Sequence, residues 1–152
     1  MAARVQSEPF DPALVTAGLG DGAGALVTFV GIVRDDGDLS ALEIEHYPGM
    51  TEAALADYGQ GAAARFGLTG WRVVHRYGRM AVGEQIMMVA TAARHRRAAF
   101  DAADYLMDWL KSRAPFWKRE IRRDGSAAWV AARDEDEASL ARWQAGRPLG
   151  PP

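Results

Sequence analysis

Pro115 separates two stretches whose side-chain periodicities belong to different elements. Upstream, over residues 96–113, Phe100, Ala103, Met107 and Leu110 recur at helical spacing, with Asp101, Asp104 and Asp108 lining the other side. Downstream, residues 116–121 alternate: Phe116, Lys118 and Glu120 fall on one face, Trp117, Arg119 and Ile121 on the other. Proline has no backbone N–H and biases Ala114 towards extended structure. The helix therefore ends at Pro115 and a strand begins. That requires a fold in which a long helix passes directly into a sheet.

The same break is flanked by the chain's two lysines, Lys111 and Lys118, against 16 arginines. Arginine supplies the surface charge elsewhere. Lysine differs in being a compact ammonium that can lose its proton and act as acid, base or nucleophile. Two catalytic amines facing one pocket is one reading; two solvated surface lysines is the other. Charge is unevenly placed. Residues 94–123 hold nine Lys/Arg against four Asp/Glu, whereas the remainder holds nine against sixteen. A basic segment in an acidic chain reads as a local anion site, or as a solvated helix face.

Several chemistries are excluded. The chain has no cysteine, so it forms no disulfide, zinc-thiolate or iron–sulfur site and has no cysteine nucleophile. Sulfur chemistry here needs sulfur carried by a partner or substrate. His46 and His75 fall in separate strands with no H-x-H or i, i+4 partner, and no metal site is expected. The 152 residues suit one domain, expected over 1–145, with a disordered Gly/Pro tail at 146–152. No apolar run reaches membrane-spanning length and the N-terminus lacks a signal-like apolar region, so a cytoplasmic protein is expected.

Along the chain, Asp11 and Pro12 start a short helix. The glycine-rich loop at 18–24 follows a helix and precedes a strand, the reverse of a dinucleotide fingerprint. Residues 25–34 read as a largely buried strand with a bulge or close approach at Gly31, ending at Arg34. Residues 42–46 read as a strand antiparallel to it. Thr51 caps a helix running to about Phe66, in which Gly59 and Gly61 permit close packing on the sheet. Strands follow at 71–77 and 85–93, joined by a connection at 78–83. Arg94, His95, Arg96 and Arg97 open the long helix, where basic residues oppose the helix dipole unless an anion is bound. A turn at 122–125 leads into a strand at 128–131, and Asp134 and Asp136 start a last helix. The fold class is α+β: a mostly antiparallel sheet packed with helices.

The stretches V-T-F-V-G-I-V-R (27–34), L-E-I-E-H-Y-P-G-M-T-E (42–52), H-R-Y-G (75–78), H-R-R-A-A-F (95–100) and M-D-W-L-K-S-R-A-P-F-W-K-R-E (107–120) appear in one order. In that order the chain resembles the large, catalytic subunit family of molybdopterin synthase. The resemblance implies a hammerhead-like single domain that dimerises. It implies a sulfurtransferase converting cyclic pyranopterin monophosphate into the dithiolene of molybdopterin, for molybdenum cofactor biosynthesis. The sulfur comes on a small ubiquitin-like carrier subunit as a C-terminal Gly-Gly thiocarboxylate, one carrier at each end of a central homodimer. Carried onto this chain, Phe29, Met107 and Phe116 wall the carrier-tail pocket and Lys111 stands near its reactive end. Lys118 serves as acid/base or holds an intermediate. Arg34, His95, Arg96 and Arg133 hold the substrate phosphate, with His95 and Arg96 acting across the dimer. No cofactor, metal, nucleic acid or membrane is implied. The loop at 35–41 is short and acidic for this family, and Arg97 adds a charge. The competing readings are a non-catalytic module for a phosphorylated ligand or RNA, and a structural dimerisation subunit.

Overall fold

The computed structural model describes residues 2–131 and 134–144. Arg133 and the Gly/Pro tail lie outside them. The elements are β1 (Ala3–Gln6), α1 (Pro12–Thr16), β2 (Ala25–Ile32), β3 (Leu39–His46), α2 (Met50–Phe66), β4 (Leu68–Arg76), β5 (Gly78–Ala81), β6 (Gln85–Ala93), α3 (Arg96–Ser112), β7 (Phe116–Arg122), β8 (Ala127–Trp129) and α4 (Asp134–Gln144).

Two four-stranded sheets share these strands. The first has the order β1-β4-β6-β2, the second β5-β3-β7-β8. Every pairing is antiparallel except β1 with β4. The fold is thus α+β and mostly antiparallel, as expected.

Helices cover the first sheet on both sides, which explains why β6 is apolar without alternation. On one side Val73, Met87 and Val89 pack with Leu55, Ala62, Ala102 and Leu106 of α2 and α3. On the other, Val74, Met88, Ala90 and Ala92 meet Val15 and Leu19 from α1 and the turn after it. Thr91 is wholly buried, and its hydroxyl donates to the Ala99 carbonyl at 2.7 Å, tying β6 to the first turn of α3. Asp11 caps α1 by accepting from the Ala13 N–H at 2.8 Å.

Several sequence expectations are corrected. Residues 42–46 do not pair with residues 25–32: β3 crosses into the second sheet, between β5 and β7. The connection at 78–83 contains β5. Gly78, at φ +90, turns the chain out of the first sheet and straight into the second. β1 was not foreseen. β2 is half exposed rather than largely buried, because it is the edge strand; Leu26, Phe29 and Ile32 are exposed. The bulge at Gly31/Ile32 is present.

Helix details differ as well. Thr51 lies inside α2, whose cap is Gly49; Glu52 accepts the Gly49 N–H at 2.7 Å. The buried face of α3 runs through Ala99, Ala102, Ala103, Leu106 and Leu110, while Phe100 points outward at 60% exposure. Asp108 is buried, not solvated. It accepts from the Trp143 indole N–H at 2.5 Å and from Arg142 at 2.7 Å, fastening α4 to α3.

Candidate active site

α3 ends at Ser112, and Arg113 donates its N–H back to the Trp109 carbonyl. Two residues later Pro115 releases the chain into β7, which enters the second sheet beside β3 with Ile44 opposite Lys118 and His46 opposite Phe116. This reversal sets the last turn of α3 and the start of β7 around one cavity of about 550 Å³.

The cavity lies between the two sheets. Phe29, Gly31 and Ile32 of β2, Met87 of β6 and Met107 and Leu110 of α3 supply apolar wall. Arg34 and Asp36 come from the loop after β2, Lys111 from the end of α3, and Phe116, Lys118 and Glu120 from one face of β7. Asp136 of α4 completes the polar lining. Six of the residues singled out from the sequence therefore share one cavity: Phe29, Arg34, Met107, Lys111, Phe116 and Lys118. Phe116, Lys118 and Glu120 face it together, as the alternation of β7 requires.

His95 and Arg96 do not join them within one chain. Both are exposed at the N-terminus of α3, sixteen residues before Lys111, or about 24 Å along a helix. The first turn there holds no acidic residue, and His95 makes no side-chain cap bond. Free N–H groups beside cationic side chains at a helix start are chemically suited to an anion.

The second sheet braces the lysine strand. Arg119, on the far face of β7, bonds Glu43 directly across on β3 at 2.5 Å and lies 5.6 Å over the Trp129 ring of β8. Val130 donates its N–H to the Lys118 carbonyl at 2.8 Å. The backbone of Lys118 is thereby held from both sides. Arg34 is looser: its side chain is 76% exposed and, among the described residues, pairs with Asp36 at 3.3 Å. The acidic loop is anchored instead through Asp35, which accepts from Arg123 at 2.8 Å.

His75 is a cavity residue that sequence reasoning did not assign. It is 3% exposed, and its ring stacks on Phe116 with centroids 3.7 Å apart and planes 16° from parallel. Nδ1 lies 2.8 Å from the Arg76 carbonyl, which can only accept, so Nδ1 carries the proton. Burial pushes the imidazole down to about 3; the charges of Lys118 and His46 push the same way, against the Arg76 carbonyl. The signal lay in β4, where Trp71, Val73 and His75 alternate onto one buried face. The His46 Nδ1 lies 3.3 Å from the Thr51 hydroxyl, and its ring packs against Tyr77.

The arrangement offers an apolar channel-like wall leading to two amines and a guanidinium, with a neutral imidazole beneath them. It suits an anionic substrate and proton transfer by an amine.

Comparison with known proteins gives the same direction. A sequence model described as MoaE protein matches residues 5–113. A molybdopterin synthase catalytic subunit from Cereibacter sphaeroides is 55% identical over 147 residues, covering 94% of this chain and 100% of that protein. The solved structure of a molybdopterin biosynthesis MoaE protein from Burkholderia ambifaria has a TM-score of 0.80 at 46% identity, covering 94% of this chain and 97% of the other. A molybdopterin synthase structure from Staphylococcus aureus has a TM-score of 0.77 at 29% identity, over 84% and 95% of the two chains.

Proposed function

The chain belongs to the MoaE protein family, and from that premise we propose that it is the catalytic subunit of a molybdopterin synthase. Its reaction is transfer of sulfur from the C-terminal thiocarboxylate of a small ubiquitin-like carrier to cyclic pyranopterin monophosphate, giving the molybdopterin dithiolene. The observation that carries this reading is the meeting of Lys111 and Lys118, from opposite sides of Pro115, in one cavity walled by Phe29, Met107 and Phe116.

The carrier tail lies against the apolar wall, with Lys111 near its reactive end. Arg34 holds the substrate phosphate. The thiocarboxylate sulfur attacks an oxygen-bearing side-chain carbon of the pterin, forming a C–S bond as that carbon's C–O bond breaks and the oxygen departs. Lys118 supplies or takes the proton that this exchange requires. Water then cleaves the acyl–sulfur bond, leaving sulfur on the pterin and a carboxylate on the carrier. A second loaded carrier supplies the second sulfur. The absence of cysteine fits a chain whose sulfur is delivered.

The working unit is a homodimer with a carrier at each end. His95 and Arg96 of one protomer complete the phosphate site of its partner, since their own lysines stand a helix length away. Arg133 contributes to the same phosphate site. No helix among the described residues is long and apolar enough to cross a membrane, and the cytoplasm is the proposed setting. Phe116 faces inward beside Lys118, which suits a walled reaction cavity better than an RNA-stacking surface.

The test is conversion of the cyclic pterin phosphate by Lys118→Ala with thiocarboxylated carrier, assayed for both sulfurs. Product formation is lost while dimerisation and carrier binding persist. Near-normal turnover would sink the assignment.

A further inference from the structure

We propose that His75 is a positioning residue of this site, holding the Phe116–Lys118 edge of β7 against the cavity and setting where the Lys118 amine stands. The inference rests on the catalytic reading of Lys118.

Three contacts fix the imidazole. β4 holds its backbone against β6, with His75 opposite Met87. The Arg76 carbonyl accepts a hydrogen bond from Nδ1–H at 2.8 Å. The Phe116 ring lies flat on it at 3.7 Å. Phe116 and Lys118 share one face of β7, two residues apart, and both line the cavity with His75. A ring so held cannot turn, and its one remaining polar atom, Nε2, is an acceptor. A neutral acceptor can orient an ammonium without fixing its charge, as a carboxylate in the same position would. An amine that must exchange a proton gains from that difference. Packing alone needs no such group, because phenylalanine would stack on Phe116 equally well.

Other charged residues line the same cavity: Lys111 from α3, Arg34 and Asp36 from the loop after β2, Glu120 from β7 and Asp136 from α4. His46 of β3 stands behind Phe116 at 6.4 Å. None changes when His75 is replaced, so a difference between variants reports on His75.

The chain's two lysines make the experiment direct. Protein labelled with ¹³C at the lysine ε-carbon gives two signals, assigned with Lys111→Arg. In His75→Phe the Lys118 titration moves down by about half a pH unit or more while that of Lys111 stays. The kcat falls about tenfold or more with KM for the pterin little changed. His75→Gln, which restores an acceptor but not the ring, recovers part of both. If His75→Phe does not fold, His75→Leu takes its place. An unchanged Lys118 titration and kcat in a folded apolar variant overturns the proposal, as does a glutamine variant no better than the apolar one. Turnover by Lys118→Ala is a separate failure: it removes the catalytic reading, and the titration still decides whether His75 governs the amine.

Discussion

Gly59 rests directly on the ring of Trp71: a Cβ at Gly59 would lie 2.2 Å from its nearest ring carbon. No rotamer relieves a clash with a buried indole clamped between α2 and β4. Gly59→Ala therefore destabilises the protein by about 2 kcal/mol through overpacking, despite a gain in helix propensity of up to ~1 kcal/mol. Gly61, two residues on, is exposed with nothing within 4 Å of a Cβ. Gly61→Ala stabilises by about 0.5–1 kcal/mol. Urea unfolding of the two variants reads opposite signs from one helix.

Asp108 joins α3 to α4 through the Trp143 indole and Arg142. Asp108→Ala leaves a buried N–H without its acceptor and costs about 2–3 kcal/mol. Arg142 keeps Asp104, at 2.6 Å, so the helix does not lose every tie. Because α4 brings Asp136 to the cavity, the variant also weakens substrate binding. Unfolding midpoints together with KM test both effects.

Stability falls in acid through His75. Its folded-state pKa, about 3, is depressed below the value of about 6.5 expected in the unfolded chain. The unfolded state therefore binds the proton first. The neutral ring contributes no pH dependence above about pH 6.5, and stability is lost progressively as pH falls from there towards 3. Near pH 4.5 the loss from this one residue is about 2–3 kcal/mol. His75→Phe removes it, so the difference in unfolding free energy between pH 7 and 4.5 shrinks by that amount. An equal difference in both proteins would contradict the assignment.

Arg34 separates binding from folding. Its side chain is 76% exposed and, among the described residues, pairs with Asp36, a pair of the kind that contributes ~0–1 kcal/mol. Arg34→Ala leaves the unfolding midpoint nearly unchanged and raises KM for the phosphorylated substrate about tenfold or more. Asp36→Asn frees the guanidinium and lowers KM. Steady-state kinetics with thermal melts distinguish this from a folding defect.

Much of the site was legible because it is local. Pro115 dictates the reversal, alternation assigns Phe116 and Lys118 to one face, and helical spacing brings Met107 and Lys111 to the same end of α3. What escaped depends on distant partners. β2 looked buried because its composition is apolar, but only its place at the sheet edge decides exposure. β3 looked like the hairpin partner of β2, and nothing within residues 39–46 announces that the partner is β7. β5 is four residues beginning at a glycine, too short to carry a period. Asp108 sat among solvent-facing acids until α4 supplied a buried indole and a guanidinium. His75 was visible as a strand residue, but its stacking on Phe116 joins chain segments forty-one positions apart.

Glu43 and Arg119 pair across 76 positions of chain, and the cavity takes its wall from residue 29 through residue 136. A chain emerging from the ribosome can close β2, β4 and β6 into the first sheet while β3, paired with β5 on one side, still waits for β7 on the other. Such non-local closure is slow and leaves a strand edge open meanwhile. The chemistry therefore appears only with the last quarter of the polypeptide, from β7 onward. Premature termination or a stall before β7 yields a folded-looking body without a site, and crowding or chaperone supply during that interval governs the yield of working enzyme.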